Sequence, residues 1–242
     1  MINNSIMAFF ISFLFFQLTF AQEKKDSLAL QFHLKFDNAT VSQNQQYISK
    51  NDTLQIETFK FYISNIQIQY ADRTTIKPQN SAYLIDLEVQ NTQKIPIALY
   101  PKKEIKIITF DIGVDSLASV SGALSGDLDP TKGMYWAWQS GYINMKMEGN
   151  SKSCKTRKGD FKFHLGGYLK PYNALRTVVL NQPKNNKIID VDVNIAAFFS
   201  EILLFQTNSI MIPGKRAMQL SDIAVTMFKL EWKFNIEIVF FL

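Results

Sequence analysis

The stretch LALQFHLKF, residues 28–36, alternates apolar and polar side chains: Leu28, Leu30, Phe32, Leu34 and Phe36 share one parity, and Gln31, His33 and Lys35 the other. A strand sends successive side chains to opposite faces, so these residues read as a half-buried β-strand with His33 on its polar side. The same alternation runs through Phe59, Phe61 and Ile63, then changes parity after Ser64-Asn65 to Ile66, Ile68 and Tyr70. One extra residue in a strand turns every later side chain to the other face, so a bulge or bend is predicted at Ser64-Asn65. Further strands are expected at 83–87, 105–112, 142–147, 160–165, 175–180 and 188–193, with Gly, Pro, Asn or Asp between most of them. Many short strands with turn chemistry predict an all-β fold, a single-domain antiparallel β-sandwich. Helices are expected only over 195–204 and 215–228, the second following Pro213-Gly214 and carrying Ala217, Leu220, Ala224 and Met227/Phe228 on one face, both as caps on the sandwich.

Residues 1–21 read as an export signal, with an apolar run from Ile6 to Phe16 and small residues at Thr19 and Ala21. Cleavage is expected before Gln22; the run lacks the Lys or Arg that usually precedes it, which leaves an uncleaved anchor as the alternative. No segment reaches the roughly 20 apolar residues that a spanning helix needs, so no transmembrane segment is expected after signal cleavage. The domain is assigned to residues 22–230, because no linker or repeat divides them. The one cysteine, Cys154, has no partner for an intrachain disulfide, so the exported chain depends on core packing, which suits a bacterial periplasm. The net charge of +5 is scattered. Its densest cluster, Lys152, Lys155, Arg157 and Lys158, sits in a Ser/Gly-containing loop and reads as a solvated turn, so no nucleic-acid partner is expected.

The sequence carries no Gly-rich phosphate loop, no G-x-S-x-G elbow, no Cys-x-x-Cys and no His-Glu-x-x-His, and a non-enzymatic protein is expected. Asp111, Asp115, Asp127 and Asp129 lack calcium-loop spacing and are read as turn formers. The residues DLDPTKGMYWAWQSGYINMKMEG, 127–149, place Trp136 and Trp138 one residue apart beside a Pro/Gly turn, either as a packing plug or for chemistry on the ring. Only two histidines exist. His33 and His164 both sit on the polar parity of strands whose other side is Phe and Leu; on neighbouring strands their imidazoles would meet on one face, suited to copper or zinc but needing a third ligand. For each, a surface or hydrogen-bonded histidine is the competing reading. Gly166-Gly167, just after His164, predicts close approach of another segment. Met145 and Met147 share the parity of Ile143 and read as core; Met134 reads as packing, with a thioether ligand as the alternative. Cys154 has cations nearby in sequence that would lower its pKa, but no partner thiol or local histidine, so no functional role is expected.

The ordered blocks FKFYISNIQI (59–68), YLIDLE (83–88), FDIGVDS (110–116), DLDPTKGMYWAWQSGYINMKMEG (127–149), FKFHLGG (161–167) and IMIPGKRAMQLSDIAVTMFKL (210–230) resemble the MbnP-like family, periplasmic copper-binding proteins associated with methanobactin operons, with many relatives in Bacteroidetes. The resemblance spans nearly all of the chain after Ala21 and is most specific in the W-x-W and FHLGG blocks. It implies a periplasmic β-sandwich that binds copper, with a tryptophan oxidised to kynurenine by a partner diheme enzyme, a c-type peroxidase-like maturation protein. The ring-opened residue would present an aniline nitrogen to copper beside two histidines. Carried onto this chain, the resemblance gives His164 as a ligand, Trp136 or Trp138 as the modified residue, and His33 as the other histidine. The competing expectation is a metal-free β-sandwich interaction module of the cell envelope. Residues 231–242 run past the family pattern as EWKFNIEIVFFL, read as an extra tail or edge strand.

Overall fold

A computed structural model of the chain describes residues 27–231 except 51, 79–81, 100–102 and 140. The export signal at 1–21, and the tail beyond Glu231, lie outside the described residues. Among the described residues no helix is long and apolar enough to cross a membrane.

The strands are β1 (Ser27–Phe36), β2 (Ala39–Thr40), β3 (Gln46–Ser49), β4 (Asp52–Tyr70), β5 (Thr75–Ile76), β6 (Ala82–Asp86), β7 (Lys94–Leu99), β8 (Ile105–Ile112), β9 (Tyr135–Trp136) and β10 (Gly141–Ser151). They continue as β11 (Asp160–Gly166), β12 (Arg176–Asn181), β13 (Ile188–Asn194), β14 (Ser209–Ile210) and β15 (Phe228–Leu230). The α-helices are α1 (Ser116–Val120), α2 (Ile195–Ser200) and α3 (Lys215–Val225).

Two sheets face each other. The smaller has the order β15-β13-β1-β2, with β7 also on β1; the larger has the order β12-β8-β4-β10-β11-β14, with β3, β5 and β6 on β4 and β9 on β10. The apolar parity of β1 turns inward as expected: Phe32 meets Phe61 of β4 and Phe110 of β8 edge-on, at ring separations of 6.3 and 5.8 Å. The sandwich is mixed rather than wholly antiparallel, because β1 runs parallel to β13 and β11 to β14. Some 150 residues separate β1 from β13, so no hairpin dictates their direction.

The parity switch in β4 is a bulge. Asn65 adopts a left-handed φ of 50°, and the β4/β8 register slips between Ser64 and Gln67. Phe59, Phe61 and Ile63 before the bulge and Ile66 and Ile68 after it all reach the same core. Both C-terminal helices cap that core but are shorter than expected. Asn194 caps α2 by accepting from the Ala196 N–H, and Ile195, Phe198 and Phe199 are buried; α3 stops at Val225, after which Phe228 begins β15 and packs on Phe61 and Phe110. The pull of those two rings overrides helical periodicity at the end of the segment.

A second, smaller core lies on the outer face of the larger sheet. Tyr62, Ala82, Leu84, Tyr142 and Ile143 are covered by the segment that contributes Val114, Leu128, Met134 and Trp136. Two tyrosines fasten that covering segment: the Tyr62 hydroxyl donates to the Asp127 carbonyl at 3.0 Å and the Tyr142 hydroxyl to the Leu128 carbonyl at 2.9 Å. This third layer places the W-x-W block over the sheet face that carries His164.

Candidate metal centre

The site grows out of the hairpin β10/β11. Phe161, Phe163 and Leu165 fill the main core, so the alternate residues Lys162, His164 and Gly166 face outward, toward the covering segment. Gly166 is where that segment comes closest. A Cβ there would stand 2.8 Å from Cζ3 of Trp136 and 2.8 Å from the Tyr142 carbonyl oxygen, too close for any side chain. Trp136 is therefore pressed against β11 at Gly166, and Gly166 is one side-chain repeat, about 7 Å, from His164 on the same strand face. Trp136 is 6% exposed and Trp138 is 64% exposed, their ring centroids 5.6 Å apart and the planes tilted by 44°. The inner indole is buried in the third layer and the outer one lies beside it, largely exposed. The neighbouring Gly167 has φ 124°, and a Cβ there would collide with the Tyr172 carbonyl and Pro213, so the close approach expected at Gly166-Gly167 is made from two sides.

His164 is buried, and its Nε2 lies 2.6 Å from Oε1 of Glu148 on β10. The strand register pairs His164 with Lys146 and Glu148 with Lys162, so the contact is diagonal across the hairpin. The hydrogen bond with His164 holds the Glu148 carboxyl below the usual carboxylate range, against the opposing effect of partial burial and with smaller help from Lys146. An ionised Glu148 can only accept, so His164 donates through Nε2–H and a neutral ring keeps Nδ1 as its lone-pair nitrogen. A carboxylate holding the far N–H of an imidazole is the usual support for a metal-ligating histidine. Lys146 and Lys60 are register partners on this face, and Lys60 is paired to Asp86 at 2.8 Å.

His33 goes elsewhere. It projects from the outer face of the smaller sheet, where its Nε2 lies 2.7 Å from Oδ1 of Asp190. His33 and His164 thus stand on opposite outsides of the sandwich, with the core between them. The arrangement sets Trp136, with Trp138 beside it, against the strand that carries His164, and does not bring His33 to that face.

The aspartates do not assemble into a site. Asp111 accepts from Asn65 and Thr177, Asp115 caps α1 through the Ala118 N–H, Asp127 accepts from the Leu84 N–H and Lys132, and Asp129 accepts from Thr131. Met134 is fully buried with Trp136, which fits packing. Cys154 departs from expectation: it is buried, and burial, followed by the charges of Asp52 and Asp160, pushes its thiol up to about 11 rather than down.

Sequence reasoning missed Glu148. Its signal was present in KMEG, where Lys146 and Glu148 share the parity opposite to Met145 and Met147; pairing it with His164 requires the β10/β11 register. Asp190 and Glu231, which surround His33, were missed for the same reason. Asp190 lies on β13, which joins β1 only through long-range pairing, and Glu231 follows β15, which joins β13 in turn.

A family model described as MbnP matches residues 25–212. The solved structure of MbnP from Methylosinus trichosporium matches with a TM-score of 0.56 and 13% identity, covering 75% of this chain and 78% of that one, a likeness of fold. No curated protein matches the chain.

Proposed function

This chain belongs to the MbnP family, and from that premise we propose that it is an exported periplasmic copper-binding or copper-trafficking protein whose site is the outer face of the larger sheet. The observation that carries the reading is that His164, already held by Glu148, shares one face of β11 with Gly166, against which Trp136 is packed with Trp138 beside it. His164 would supply Nδ1 to the ion. Trp136, the indole packed on β11 at Gly166, is the residue we assign to oxidation by a diheme partner, its aniline nitrogen as kynurenine serving as a second nitrogen donor. The donor set fits copper in kind, since imidazole and amine nitrogens both suit it. It does not supply the second histidine that the resemblance implies, because His33 stands on the other sheet. With this set the chain's own residues would bind and orient the ion.

The separation of the two histidines favours a second reading, a metal-free β-sandwich interaction module, in which Trp136 plugs the third layer and Trp138 is contact surface.

Copper analysis of periplasmically produced protein decides between them. Copper retained by the native chain and lost in His164→Ala supports the site. Equally negligible copper in both, with the two proteins folded alike, overturns copper binding and leaves the module. Intact-mass measurement with and without a coexpressed diheme partner reads the oxidation separately, one oxygen gained and one carbon lost being expected, and fragmentation of the peptide that holds both indoles is expected to place the change on Trp136. The same change on Trp138 alone overturns the assignment.

A further inference from the structure

The outer face of the smaller sheet carries a second cluster of donor groups, independent of the His164 face. His33 of β1, Asp190 of β13 and Glu231, just past β15, each offer one ligand-type atom, and those atoms all lie within 4.8 Å of one another. We propose that these three residues form a binding site for a borderline divalent cation of the zinc class, with the remaining positions filled by water.

Strand pairing builds the cluster. The parallel register sets Gln31 opposite Asp190 and His33 opposite Asp192. Lys35 takes Asp192 at 2.6 Å, and His33 leans back onto Asp190 at 2.7 Å. On the other side of β13, the Glu231 N–H donates to the Asp190 carbonyl at 3.1 Å, which brings its carboxylate beside that of Asp190. All three side chains are partly withdrawn from water, at 32%, 28% and 17% exposure for His33, Asp190 and Glu231. Asp190 and Glu231 also line a surface depression of about 350 Å³ shared with Lys184, Asn186, Ile188 and Leu230, which gives an ion and its waters a way in.

The chemistry fits one class of ion better than others. One imidazole with two carboxylates is a nitrogen–oxygen set for zinc or its borderline neighbours, too poor in oxygen for calcium and without thiolate for a soft monovalent ion. Bond lengths of about 2.0–2.2 Å to N and O at tetrahedral angles place donors about 3.3–3.6 Å apart, so closure needs the His33–Asp190 contact to open and Glu231 to move in. Lys35 opposes this. Its ammonium lies 3.0 Å from Oε1 of Glu231 and 2.6 Å from Oδ1 of Asp192. Lys35 is therefore a built-in competitor, and removing its charge should tighten the site.

Zinc titration by calorimetry of the metal-stripped chain in a His164→Ala background tests this apart from the copper reading, so either can fail alone. The expected result is saturable zinc binding that weakens by about tenfold or more in His33→Gln and Asp190→Asn, and strengthens in Lys35→Gln. His33→Gln keeps a neutral side chain of similar reach, so it serves if Asp190→Asn fails to fold. Cobalt(II) supplies a second readout, with a tetrahedral visible spectrum expected in the parent and absent in His33→Gln. No saturable zinc in the parent, or zinc binding indifferent to a folded His33→Gln variant, overturns the proposal and leaves an ion-pair lattice.

Discussion

The indole of Trp136 occupies the space a side chain would need at Gly166, with Cζ3 2.8 Å from the Cβ position. This contact joins the two most specific blocks of the sequence, W-x-W and FHLGG, which lie about thirty residues apart in the chain. It also defines the edge of the candidate site, because the ring is pressed onto the strand that carries His164.

Gly166→Ala should therefore move Trp136. The added methyl also meets the Tyr142 carbonyl oxygen, which belongs to β10 backbone and cannot swing away. Overpacking of this kind costs about 1–3 kcal/mol, read as a lower urea midpoint with an altered tryptophan emission spectrum. Unchanged stability and unchanged emission would show that the ring is not seated there.

Asn65 makes the bulge that the parity of β4 foretold. Its φ of 50° is left-handed, and its side chain also donates to Asp111 at 2.7 Å. Asn65→Gly and Asn65→Val both lose that hydrogen bond, so comparing them isolates the backbone. The valine variant is expected to be less stable than the glycine variant by about 1–2 kcal/mol, the left-handed cost for a residue with a Cβ, with β-branching adding to it. Equal stabilities in chemical denaturation would place the residue outside the left-handed region.

These two residues also mark what was legible in the sequence. Alternation is a local signal, so β1, the bulge at Asn65 and the strand at 105–112 could be read from a few neighbouring side chains. The pairing of β1 with β13 and the short β15 could not, because a sheet partner 150 residues away leaves no local trace and Phe228 looks helical until Phe61 and Phe110 claim it. The site divides in the same way. His164, Trp136 and the glycines after His164 stand out by residue type and parity. Glu148 matters only through a diagonal across a hairpin, and the separation of His33 from His164 follows from which sheet each strand joins.

Glu148 gives a pH prediction. Its carboxyl is held below the usual range, first by the hydrogen bond with His164. A group whose pKa falls on folding stabilises the native state fully above its unfolded pKa, about 4.3 for glutamate, and loses that contribution as pH drops through the folded value. The stability difference between the native chain and Glu148→Gln should thus be constant near neutrality and shrink below about pH 4.3. Chemical denaturation across that range checks it, and a gap that stays level throughout would mean that Glu148 titrates alike in both states.

Cys154 gives the last prediction, and it runs against the first impression of its loop. Lys152, Lys155 and Arg157 are near in sequence, yet burial, then Asp52 and Asp160 brought in from β4 and β11, set the thiol's environment and push it up to about 11. The thiolate is the reactive form, and free cysteine ionises near 8.5, so at mildly alkaline pH the native thiol should alkylate roughly a hundredfold or more slowly than the unfolded chain. Burial adds to that protection by keeping the reagent away. Iodoacetamide labelling at pH 8 with and without urea, followed by mass spectrometry, measures the ratio. Comparable rates in the two states would mean that the basic loop exposes Cys154 and that the core around it is open to solvent.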